Sequence, residues 1–126
     1  MEEKNIPLAE FFTELKTPEF LWKEFEKTDW YMIIGRLREL ITGFIKTSEC
    51  RSEIPDTVKQ YGIVYIGENC TIGDYVVIEG PAYIGNSVDI GPGAYIRPGS
   101  IICDKCSVSH AAEIKNSLMM EESKVS

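Results

Sequence analysis

Histidine is almost missing from this chain. His110 is the only one in 126 residues, and no nucleophile–base pair can be recognised around it. Basic residues are also short: 13 Lys and Arg stand against 20 Asp and Glu, a formal charge of −7. That balance argues against a nucleic-acid surface as the main business of the protein. No apolar run approaches the roughly 20 residues of a membrane helix. The opening Met1-Glu2-Glu3-Lys4 is acidic and lacks the apolar stretch of a secretory signal, so the cytoplasm is the expected compartment. There is no Walker motif and no glycine loop of the nucleotidyltransferase kind near the N-terminus. Gly91-Pro92-Gly93 is no phosphate cradle, because no helix is expected to follow it.

What the chain does have is a period of six. Ile66, Ile72, Ile78, Ile84, Ile90, Ile96, Ile102, Val108 and Ile114 recur at that step. Four places after most of them comes a small residue, from Cys70 and Val76 through Ala82, Val88, Ala94 and Ser100 to Cys106 and Ala112. Six fits neither an α-helix nor an alternating strand. It is the signature of a hexapeptide-repeat parallel β-helix. With three hexads to a triangular coil, residues 18 apart stack vertically. The expected inward columns are Ile66, Ile84, Ile102; Ile72, Ile90, Val108; and Ile78, Ile96, Ile114. Asn86, Pro92, Gly93, Pro98 and Gly99 suit the corners. After Ile114 the step slips: Met119 and Val125 resume it with one residue missing.

The outward residues differ by side. Thr71, Asp89 and Ser107 should face water. Tyr65, Tyr83 and Ile101 form a column too apolar to be bare, which the N-terminal helices or a neighbouring subunit should cover. The coil open at Ser126 leaves ladder groups unpaired, so either a partner closes it or the chain is part of a longer protein.

The four cysteines invite a metal or disulfide reading that the register opposes. Cys70 and Cys106 share an inward column two coils apart, about 9–10 Å at the usual strand spacing, too far for either. Cys103 falls outward and Cys106 inward, so their spacing makes no clamp. Packing as small hydrophobes is the expectation.

Residues 1–56 read as a helical subdomain ahead of a β-helix over 57–126. Leu8, Phe11, Phe12 and Leu15 have helical spacing, as do Phe20, Leu21 and Phe25. A longer stripe holds Trp30, Ile33, Ile34, Leu37, Ile41 and Ile45, weakened by Gly35 and Gly43. Residues 47–60 read as a polar connector. The fold class is mainly β, a parallel β-helix of about three coils behind a small α-helical piece.

The best candidate for chemistry is a vertical pair. Arg97 and Lys115 are 18 apart and so sit about 5 Å from each other on adjacent coils. Two stacked cations repel unless an anion lies between them, and a forked guanidinium beside a mobile ammonium suits a phosphate. Against this stands an Arg97 ion pair with Glu79, one coil below, leaving Lys115 merely exposed. Glu113 is an outward carboxylate on the same side. His110 sits at a corner, where a lone exposed histidine is more often incidental than catalytic.

The run Gly91-Pro92-Gly93-Ala94-Tyr95-Ile96-Arg97-Pro98-Gly99, with Glu113-Ile114-Lys115-Asn116-Ser117 and Ser123-Lys124-Val125-Ser126 after it, resembles a known family. It looks like the left-handed β-helix acyltransferase domain of bifunctional glucosamine-1-phosphate N-acetyltransferase/UDP-N-acetylglucosamine pyrophosphorylases, and most like acyltransferases in which a helical segment precedes the β-helix. The resemblance implies a left-handed coil and a homotrimer with sites between subunits. It implies that Arg97 and Lys115 bind the phosphate of an amino-sugar phosphate, and that acetyl-CoA is the co-substrate of a complete parent enzyme. The family's catalytic histidine and acetyl-CoA coils follow the segment matching 123–126, so this chain alone is expected to be inactive. The other reading is a trimerising β-helix that binds a sugar phosphate or nucleotide sugar without chemistry, or is purely structural.

Overall fold

The computed structural model describes residues 36–125. The helical stripes expected over 8–15 and 20–25, and the first part of the longer one, lie outside the described residues. Its C-terminal part is helix α1, Leu37–Phe44. Thirteen short strands follow: β1 Glu49–Cys50, β2 Lys59–Tyr61, β3 Val64–Ile66, β4 Thr71–Ile72, β5 Val77–Glu79, β6 Ala82–Ile84, β7 Asp89–Ile90, β8 Tyr95–Ile96, β9 Ser100–Ile102, β10 Ser107–Val108, β11 Glu113–Ile114, β12 Leu118–Met119 and β13 Lys124–Val125.

Three parallel sheets result, ordered β1-β3-β6-β9-β12, β13-β10-β7-β4 and β11-β8-β5-β2. This is a three-sided parallel β-helix, the architecture expected. The sheets hold five, four and four strands, so the solenoid has about four turns rather than three.

Register follows the period of six. Ile66 pairs with Ile84 and Ile84 with Ile102. Ile72 pairs with Ile90, and Ile90 with Val108. Ile78 pairs with Ile96, and Ile96 with Ile114. The shortened coil is also as expected, with Met119 against Ile102 and Val125 against Val108. These aliphatics and the small residues Val76, Ala82, Val88, Ala94 and Cys106 form one continuous core.

The corners are turned by left-handed residues at the same step. Asn69, Ser87, Lys105 and Glu122 take positive φ at one corner, Tyr75, Gly93 and Ala111 at the second, and Gly99 and Asn116 at the third. Non-glycine residues resist this conformation by about 1–2 kcal/mol each. Hydrogen bonds to the coil below offset the cost: the Ser87, Lys105 and Glu122 amides donate to Glu68, Asn86 and Asp104 carbonyls at 2.8–3.0 Å. Asn86 and Asp104 also accept from the amides of Glu68 and Asn86 at 2.9 and 2.8 Å, through their side chains.

The stretch read as a connector proves to be part of the solenoid. Glu49–Cys50 adds a strand beside Tyr65–Ile66, and Lys59–Tyr61 lies beside Val77–Glu79. Between them Ile54 and Val58 pack against the core from below. One hydroxyl serves each corner of the lowest coil. Ser48 Oγ accepts from Val64 N, Ser52 Oγ from Cys70 N and Thr57 Oγ1 from Tyr75 N, at 3.1, 2.9 and 3.1 Å. Ladder donors that would otherwise have no coil beneath them are thereby satisfied.

Helix α1 covers the apolar outward column. Leu37, Ile41 and Ile45 pack on Ile101 and Cys103, with Tyr65, Tyr83, Leu118 and Met120 around them. Tyr65 and Tyr83 stack with centroids 5.1 Å apart. Thr71 and Asp89 are exposed and Ser107 half-buried, as that side should be. The cysteines are free, with Cys50 exposed and Cys70, Cys103 and Cys106 buried. Cys103 does point away from the β-helix core, but the helix buries it. Among the described residues no helix is long and apolar enough to cross a membrane, and no three His, Cys, Asp or Glu side chains gather to hold a metal.

Candidate functional site

Arg97 is the residue just after the inward Ile96 of β8, and Lys115 follows Ile114 of β11. Ile96 and Ile114 are register partners, so the two cations are rungs of one outward column. Both line a single cleft of about 580 Å³, together with Arg36, Arg38, Glu39 and Asn116. The pair expected from the spacing is therefore brought together. The two helix arginines were not foreseen.

Arg97 is held from two sides. Its Nη1 donates to Glu113 Oε2 at 3.3 Å, and its guanidinium lies 5.4 Å from the centre of the Tyr95 ring. Glu79, the expected ion-pair partner, instead accepts a 2.7 Å hydrogen bond from the Tyr95 hydroxyl. That bond is the first cause raising the Tyr95 pKa above its ordinary value. The Arg97 carbonyl accepts from the buried Ser100 hydroxyl at 2.8 Å, and the Arg97 amide donates to Ile114 O at 2.8 Å. The Arg97 Nε–H is shielded and has no hydrogen-bond partner among the described residues. Lys115 is exposed and has no carboxylate within ion-pair distance among the described residues.

The missing residue of the last coil falls at this cleft. Ile114 keeps the 18-residue step to Ile96, but Leu118 pairs with Ile101, 17 away. The corner over 115–117 is thus one residue tighter than the one beneath it. Asn116 takes the left-handed turn there with φ 47°. Its Oδ1 lies 2.5 Å from where a Cβ on Gly99 would stand, and Arg38 Cγ lies 3.0 Å from the same point. A bare glycine at 99 lets the helix arginine cross the corner.

By charge the cleft is suited to an anion. Among its described lining residues are four cations, one carboxylate and one amide, and neither imidazole nor thiol. His110 is exposed at a different corner and does not line it. A second cavity of about 610 Å³ lies at the lower end, bordered by Arg51, Ser52 and residues of β4. Its one lining cation, Arg51, is engaged by Glu49 and by Glu68, the latter at 3.7 Å, which leaves it little to offer an anion.

The family profile of the bacterial transferase hexapeptide (six repeats) matches residues 63–97. The bifunctional protein GlmU of Prochlorococcus marinus is 35% identical over 79 residues, covering 51% of this chain and 18% of that protein. GlmU of Desulfitobacterium hafniense is 41% identical over 69 residues, covering 48% and 15%. GlmU of Carboxydothermus hydrogenoformans is 42% identical over 60 residues, covering 48% and 13%. The chain thus spans less than a fifth of the length of these relatives. No solved structure matches it significantly. The six-residue register, the three-sided parallel solenoid and these matches agree: the chain carries a hexapeptide-repeat β-helix similar to that of the bacterial hexapeptide transferases.

Proposed function

We propose that the cleft holds the phosphate of an amino-sugar phosphate, as the acceptor half-site of an acetyl-CoA-dependent N-acyltransferase. The observation carrying this reading is the convergence of Arg97 and Lys115 on one cleft whose lining is otherwise cationic or neutral, apart from Glu39. A guanidinium fixed by Glu113 and Tyr95 offers a preorganised fork, and the ammonium of Lys115 a mobile point charge. In the complete enzyme the acceptor amine would attack the thioester carbonyl. A C–N bond forms, the C–S bond breaks, the thiol leaves, and a base takes the ammonium proton. The described cleft supplies grip and orientation to that reaction, not the base.

Arg97→Ala should weaken binding of glucosamine 1-phosphate at least about tenfold, since charge-assisted hydrogen bonds contribute roughly 1.5–3 kcal/mol each. Thermal stability should hardly move, because a half-exposed ion pair contributes little. Equal binding by both proteins, followed calorimetrically, would leave only the Arg97–Glu113 ion pair as the role of this arginine.

A second reading draws on the same lining. With no imidazole or thiol among the described residues of the cleft, the module binds a sugar phosphate or nucleotide sugar and performs no chemistry. Acetyl transfer to glucosamine 1-phosphate, read as released thiol, separates the two. We expect no turnover from this chain by itself. In either reading we propose a homotrimer. The Tyr65–Ile101 column gives this no support, because α1 covers it. Among the described residues, Phe44, Tyr61 and Tyr75, 56%, 55% and 71% accessible, are the large apolar side chains left to bury. Sedimentation at micromolar concentration should give three times the chain mass, and a monomer there would refute it.

A further inference from the structure

The cations of the cleft fall into two groups on different elements. Arg97 and Lys115 belong to one outward column of the sheet. Arg36 and Arg38 come from the start of α1, with Arg38 crossing the corner at Gly99 beside Asn116. The groups are matched in charge. In each, one guanidinium is paired: Arg97 with Glu113 at 3.3 Å and Arg36 with Glu39 at 3.6 Å. In each, one cation, Lys115 or Arg38, has no carboxylate within ion-pair distance among the described residues. A single phosphoryl group between Arg97 and Lys115 would leave Arg38 facing it uncompensated across the same cleft. The cleft volume, about 580 Å³, is in the range that takes a ligand much larger than one phosphate.

We propose that the cleft is built for a diphosphate, with one phosphoryl group on Arg97 and Lys115 and the second on Arg38 and Arg36, so that its ligand is a sugar diphosphate or nucleotide sugar. The inference rests on the phosphate reading of Arg97 and Lys115 given above. It makes Arg36 and Arg38 specificity-determining residues. It also makes the ligand a brace between α1 and the solenoid.

The test is binding of inorganic phosphate and of pyrophosphate to the full chain, measured by calorimetry without divalent cations. The wild type should prefer pyrophosphate by about tenfold or more, the worth of one further charge-assisted hydrogen bond. The double variant Arg36→Gln/Arg38→Gln, which keeps helix-forming side chains, should lose that preference with phosphate binding nearly unchanged. Arg97→Gln should weaken both anions. No preference in the wild type, a preference kept by the double variant, or an equal loss of both anions in it would overturn the diphosphate. If Arg97→Gln weakens both anions while the helix variant changes neither, the diphosphate alone fails. If Arg97→Gln changes neither anion, the phosphate reading fails with it.

Discussion

Ile101 and Ile102 are neighbours in β9, both 0% exposed, and they are buried by different parts of the molecule. Ile102 belongs to the solenoid core. Ile101 points outward and is buried with Leu37, Ile41 and Ile45 of the helical segment. A helix of eight residues is marginal alone in water, so α1 owes its stability to this contact. Ile101→Asp removes one buried side chain, about 1.5–3 kcal/mol, and would trap an unpaired carboxylate, which costs more. The helix has a cheaper response, which is to leave. Amide hydrogen exchange should then show protection lost over Leu37–Phe44 while the β6, β8 and β9 amides stay slow. Ile102→Asp should instead speed exchange throughout the coils, since its column runs through all of them. Unchanged protection of α1 in Ile101→Asp, or its loss together with the solenoid amides, would refute the idea that the helix is docked through this face as a separable unit.

Two further outcomes follow from local geometry and ionisation. Gly99→Ala places a side chain at φ +83°, 2.5 Å from Asn116 Oδ1 and 3.0 Å from Arg38 Cγ, and should cost about 1–3 kcal/mol in urea titration while displacing Arg38. Burial, the largest cause for each, raises the pKa of the Cys103 thiol and the Tyr83 phenol above 9.0 and 10.0, their ordinary values. The folded protein then binds these protons more tightly than the unfolded chain. Their contribution is complete below about pH 9 and is lost as pH rises further, so stability should decline on the alkaline side, first through Cys103, and Cys103→Ala should flatten the onset.

The period of six made the register legible in the sequence because the coils from Ile66 to Ile114 obey it. The Ile66, Ile72 and Ile78 columns could be written down, and so could the one-residue slip at Met119. What the period does not carry are features that occur once. Ser48, Ser52 and Thr57 close the lower end with single hydroxyls in a polar stretch, and no spacing distinguishes them from a connector. Glu79 and Glu113 flank Arg97 on neighbouring rungs, and register alone cannot choose between them. The Tyr95 hydroxyl decides by taking Glu79. Arg36 and Arg38 carry no signal of their own in the sequence, because how that helix docks depends on an outward column some sixty residues later. Ile101, Tyr83 and Tyr65 advertised that something must cover them, but not which side chains it would bring to the rim. The two departures from the repeat, the residue lost between Ile114 and Leu118 and the arginine laid over Gly99, meet at one corner. A solenoid needs neither to be stable, since its other corners turn without them. Their coincidence beside Arg97 and Lys115 is what supports the phosphate proposal over a mere run of exposed charge.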